Sequence, residues 1–109
     1  MAELGGIFEV VSGQIRLDRR TEFMRLHATV LLPMMKDVGI EPHLLLLTEV
    51  GRYCRFLDIY RYANLDDYER KTDRLLSNPD MEGYYERVGE CVHGGISIEI
   101  MRRLPYSTD

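Results

Sequence analysis

RYCRFLDIYRY, residues 52–62, followed directly by Asn64-Leu65-Asp66-Asp67, reads as a strand that hands off to a capped helix. Side chains alternate along a strand. One face would therefore carry Phe56, Asp58, Tyr60 and Tyr62, and the other Tyr53, Arg55, Leu57, Ile59 and Arg61. Both faces hold apolar or aromatic groups. A strand of that kind belongs in the middle of a sheet, and the rest of the chain has to supply its cover.

The chain before this strand supplies part of that cover. Ile7-Phe8-Glu9-Val10-Val11 is rich in β-branched residues and reads as a first strand, continuing through Ile15 to Leu17, with Gly13 marking a bulge or a close backbone approach. Asp18 is placed to cap a long helix. Phe23, Leu26, Val30 and Met34 recur at helical spacing and form its inner stripe. Pro33 interrupts that pattern, so a kink is expected between residues 29 and 33. Gly39 is the expected stop. The short apolar run Leu44 to Thr48 reads as a second strand, and Thr48-Glu49-Val50-Gly51 turns the chain into the central one.

After the central strand, Asn64 caps a helix with Asp66 and Asp67 in its first turn. Asp66 with Arg70, and Asp67 with Lys71, form acid-before-base pairs at the favourable spacing. Leu65, Tyr68, Thr72, Leu75 and Leu76 make its inner stripe, and Asn78-Pro79 breaks it. Asp80 would cap a further helical piece carrying Met81, Tyr84, Tyr85 and Val88, ended by Gly94-Gly95. Ile96 to Met101 alternates as a last strand. Only Met1 to Gly6 and Ser107 to Asp109 read as fraying ends.

The order β-α-β-β-α-β closes most simply as an α+β, ferredoxin-like fold: a four-stranded antiparallel sheet, both helices on one face, first and third strands central. Residues 1–109 are read as one domain. The open face would present either Phe56, Tyr60 and Tyr62 or Tyr53, Leu57 and Ile59, with Phe8 and Val10 or their neighbours. Aromatic side chains bury roughly 150–250 Å² each, so either set approaches or exceeds the few hundred Å² that a soluble monomer commonly leaves exposed. A second copy, sheet against sheet, is the expected cover.

Composition bounds the function. An apolar fraction of 45% and a charged fraction of 29% are those of an ordinary globular protein. A formal charge of −4 without clustered Lys and Arg argues against nucleic acid. No apolar run is long enough to span a membrane, and residues 1–6 do not read as the basic-then-apolar pattern of a secretory leader, so none is expected. Two cysteines, Cys54 and Cys91, fit a reduced cytoplasmic setting, with Cys54 a small buried strand residue. With His43 and His93, both expected in loops, they lack zinc spacing, so neither a metal nor another cofactor is expected.

Asp58 is the sharpest candidate for chemistry. A carboxylate between Phe56 and Tyr60 loses solvation, which raises its pKa toward the range of a general acid or base. The plainer alternative is an ion pair with an Arg across the sheet or dimer interface. His27 stands one position beyond the apolar stripe, where it could shuttle a proton or simply pack. Tyr60 and Tyr62 could orient a ligand oxygen or serve as interface aromatics. The expected site is thus Asp58 and His27 as catalytic groups, with Phe56, Tyr60, Tyr62 and Phe8 around a ligand.

Several stretches together resemble one family. Phe8-Glu9-Val10, Thr48-Glu49-Val50-Gly51, Tyr60-Arg61-Tyr62-Ala63-Asn64-Leu65, Arg70, Asn78-Pro79 and Arg102-Arg103-Leu104-Pro105-Tyr106-Ser107 occur in the order and near the spacing of the NIPSNAP family. The family commonly has a Tyr and an Arg where this chain has Gly13 and Val11, and a Trp where Tyr60 stands. The resemblance implies a dimeric α/β barrel, a homodimer built from ferredoxin-like sheets, with a small-molecule cavity. Its superfamily includes cofactor-independent monooxygenases, haem-degrading enzymes and small-ring isomerases. The function expected is binding of a small apolar or aromatic metabolite between sheet and helices, with cofactor-independent oxygenase or isomerase-type chemistry. The competing expectation is an interaction module whose sheet face only builds the dimer.

Overall fold

The computed structural model describes residues 6–107. Most residues of the two expected frayed ends lie outside them. Strands β1 (Ile7–Ile15), β2 (Glu41–Leu47), β3 (Arg55–Tyr62) and β4 (Val92–Arg102) form an antiparallel four-stranded sheet in the order β2-β3-β1-β4. The helices are α1 (Arg20–Leu26), α2 (Leu32–Asp37), α3 (Leu65–Leu76) and α4 (Asp80–Gly89). This is the expected ferredoxin-like arrangement, with the first and third strands at its centre. Among the described residues no helix is long and apolar enough to cross a membrane.

The alternation along β3 decides which face the helices take. Phe56, Asp58, Tyr60 and Tyr62 are buried, while the residues between them are half-buried or exposed. Antiparallel pairing sets Gly13, Val11, Glu9 and Ile7 of β1 opposite those four, on the same face. Phe23 of α1 packs on Phe56 with ring centroids 4.8 Å apart, and Tyr68 of α3 meets Tyr62 edge-on at 5.0 Å. The opposite face carries Phe8 and Val10 of β1, Leu57 and Ile59 of β3, and Leu44 and Leu46 of β2. Leu44 and Leu46 remain about half exposed, and the Arg103 guanidinium stands over the Phe8 ring at 4.8 Å.

Several local expectations are corrected. β3 starts at Arg55, because Cys54 adopts a left-handed backbone (φ 61°) and Tyr53 lies exposed in the turn before it. Cys54 is buried as expected, but in that turn. Asp18 caps nothing; it lies in a 3-10 turn (Leu17–Arg19) and pairs with Arg16 at 3.2 Å. Asp80 is the first residue of α4, and its amide donates to Asn78 Oδ1 (2.9 Å). Gly94-Gly95 do not end α4. They sit within β4, in a bulge where its register with β1 shifts between Ser12 and Gln14, and His93 pairs with Gln14. Leu65 and Leu76, assigned to the inner stripe of α3, are about half exposed.

Other local signals act as expected. Gly39 (φ +84°) ends α2, with the Ile40 amide reaching back to the Met35 carbonyl. Asn64 Oδ1 accepts from the Asp67 amide (2.8 Å), and Asp67 Oδ2 accepts from the Ala63 amide (2.9 Å). Near Pro33 the chain widens into a π turn, His27–Leu31, in which the Leu32 amide donates to the His27 carbonyl. Proline lacks an N–H and its ring crowds the carbonyl one turn back, so an added residue in the coil relieves that contact.

Candidate functional site

Between the sheet and the helices lies a cavity of about 580 Å³. β1, β3 and β4 form its floor, while α1, the π turn, α3 and α4 form its walls. Most of the lining is apolar, with Phe23, Phe56 and Leu75 among its buried members. That volume is within the range of roughly 300–1,000 Å³ usual for small-molecule sites.

Strand alternation brings Asp58 into this cavity, and the π turn brings His27 to meet it. His27 Nε2 stands 3.0 Å from the Tyr60 hydroxyl and 3.4 Å from Asp58 Oδ2. Asp58 is only 6% exposed. Burial pushes its carboxyl up to about 7, against the opposing pull of a hydrogen bond from Tyr60. Burial also pushes His27 below its ordinary value. An ion pair would move both groups the other way, so loss of solvation outweighs their mutual attraction. The Tyr60 hydroxyl, held far above its usual range by burial and the neighbouring carboxylate, stays protonated. With Asp58 ionised, the hydroxyl can donate to the carboxylate while accepting from a protonated Nε2. The three groups thus form a connected path for one proton.

A second polar group faces the same cavity. Glu9, 8% exposed, accepts from the Tyr62 hydroxyl at 3.0 Å. Its carboxyl is pushed up by burial and drawn partly back by hydrogen bonds from Tyr62 and Tyr68. Thr72 of α3 and Tyr84 and Tyr85 of α4 add further hydroxyls to the lining.

Of the expected site residues, Asp58, His27, Phe56, Tyr60 and Tyr62 all line the cavity. Phe8 does not. Its odd-even position places it on the other face, with His43 at 5.3 Å and the Arg103 guanidinium above it. Among the described residues of this chain no Arg pairs with Asp58; its close partners are His27 and Tyr60. Sequence reasoning missed Glu9, although a lone acid between Ile7 and Val11 on one strand face was a readable signal. Tyr68, Tyr84 and Tyr85 carried only a core signal. Gly13 is required by the site: a Cβ there would stand 2.9 Å from Phe56 Cε1, so its absence admits the Phe56 ring to the cavity wall.

Architecture and cavity together define a ferredoxin-like α+β protein with a chamber between its layers. The sequence profile of the NIPSNAP family matches residues 8–108, and this chain belongs to that family. No functionally curated protein matches it. Among solved structures, an uncharacterised NIPSNAP-like domain protein from Burkholderia xenovorans is 17% identical, with a TM-score of 0.81 over 97% of this chain and 91% of the other. A NIPSNAP family protein from Agrobacterium tumefaciens is 17% identical, with a TM-score of 0.82 over 94% and 97%. A protein from Nitrosomonas europaea, named as a candidate antibiotic biosynthesis monooxygenase, is 12% identical, with a TM-score of 0.71 over 94% of each chain. At these identities the likeness is one of fold.

Proposed function

We propose that this NIPSNAP chain is a homodimer that binds a small apolar or aromatic metabolite between sheet and helices and moves a proton on it without a cofactor. The observation that carries the reading is an apolar cavity of about 580 Å³ with the linked Asp58, His27 and Tyr60 on its wall. A carboxyl held near 7 is poised as a general base at neutral pH. Taking a proton from carbon beside a carbonyl, or from a phenol, starts an isomerisation. It also makes the electron-rich anion that cofactor-independent oxygenation requires, and the Nitrosomonas europaea neighbour lends that second outcome an analogy of fold. Tyr60 and Tyr62 would orient the ligand, with Phe56 against its apolar body. The two free, buried cysteines favour a reducing compartment, the cytoplasm, as its location.

The apolar face of Leu44, Leu46, Leu57 and Ile59, half-buried or exposed in the single chain, supports the dimer, and also supports a second reading in which dimer formation is the whole function. Asp58→Asn separates the two. A site predicts a small molecule in the native mass spectrum of the unaltered protein, and its loss with an intact dimer by light scattering in the variant. Loss of the dimer with that replacement, or a monomer for the unaltered protein at micromolar concentration, would overturn the first reading.

A further inference from the structure

The charges around the cavity are one-sided. Glu9 and Asp58 both line it, and among the described residues no Lys or Arg does. Anionic ligands would meet two carboxyl groups and no fixed countercharge. At the Glu9 end the neighbours are mostly aromatic, with the Thr72 hydroxyl among them: Tyr62 and Tyr68 stand nearly perpendicular (88°), and Tyr85 lines the same cavity close enough for its hydroxyl to feel the Glu9 charge. Ring faces carry negative potential and attract organic cations, and a carboxylate adds a full charge.

From this arrangement we infer that the cavity takes a ligand bearing an ammonium group, seated against Glu9 and among Tyr62, Tyr68 and Tyr85. The inference rests on the proposed ligand site and names its substrate class. Glu9 pairs directly with Tyr60 across the sheet, so Asp58 is its diagonal neighbour, roughly 7–8 Å away between backbones. Beyond Asp58 lie the packed, mutually tilted rings of Phe23 and Phe56. A ligand with its ammonium at Glu9 and its apolar body toward Phe56 would therefore pass its middle carbons beside the Asp58 carboxyl. Burial holds the Glu9 carboxyl above its ordinary range, and among the described residues no Lys or Arg lines the cavity to offset it, a gap that a bound ammonium would fill.

Three probes of one shape test this by calorimetric titration at pH 8: phenethylamine, 2-phenylethanol and 3-phenylpropionate. The amine should bind at least about tenfold more tightly than the alcohol, and the carboxylate more weakly than either. Glu9→Gln should abolish the amine's advantage and leave alcohol binding within about twofold. Tyr85→Leu, at a half-exposed position that the fold tolerates, should weaken the amine alone by about threefold. Equal binding of amine and alcohol, tighter binding of the carboxylate, or an amine preference that survives Glu9→Gln would overturn the inference and leave the cavity as a ligand site. Failure of all three probes to bind would overturn both.

Discussion

Asp58 holds a proton in the folded chain that the unfolded chain releases near its ordinary value of 3.8. Its folded pKa is raised, so its stabilising contribution is fullest below that value and is lost as pH climbs through about 7. Asp58→Asn removes the titration. Urea unfolding should show the variant gaining on the original chain between pH 4 and pH 8, by on the order of 4 kcal/mol. Parallel pH profiles would mean that the carboxyl is not held neutral. His27 has the opposite sign: its lowered pKa gives stability that is present above about 6.5 and lost as pH falls. At Gly13, an added methyl meets the Phe56 ring at 2.9 Å. Gly13→Ala should cost about 1–3 kcal/mol in thermal or chemical unfolding, and Phe56→Leu in the same chain should recover part of it.

At the level of elements, the start of α3 is the most self-contained device. Asn64 and Asp67 satisfy backbone amides at 2.8 and 2.9 Å, and Lys71 approaches Asp67 at 3.2 Å. Asn64→Ala should cost about 1 kcal/mol in chemical denaturation with no change in quaternary state. This cap was legible because its chemistry is local, as were Gly39 and the close approach at Gly13. The π turn was not: Phe23, Leu26, Val30 and Met34 keep an apolar stripe whether or not the coil gains a residue, so only the kink could be read. Pairing of His93 with Gln14 carries β4 through Gly94-Gly95, a long-range contact that overrides a local stop signal. Alternation sorted the side chains of β3 into two sets, but both sets are apolar enough that only packing by Phe23 and Tyr68 decides which one the helices cover. That ambiguity is why Phe8 was placed with the ligand and Glu9 was overlooked.

Across the whole molecule, one side of the sheet holds the core and cavity while the other presents leucines and isoleucine to solvent. Soluble proteins seldom leave such a surface bare. Replacing Leu46 and Ile59 together by Lys should give a monomer at micromolar concentration by light scattering, with an unchanged far-ultraviolet circular dichroism spectrum. A dimer that survives this double change would locate the contact elsewhere.

The strand nearest the middle of that sheet ends at two sulfur-bearing residues: the Ile15 amide donates to the Cys54 carbonyl, and the Arg16 amide to that of Cys91. Both thiols are sealed from solvent. A maleimide or disulfide reagent can therefore reach them only when this corner of the protein comes apart. The chain carries its own clock for such excursions, and a molecule held between the layers should slow it.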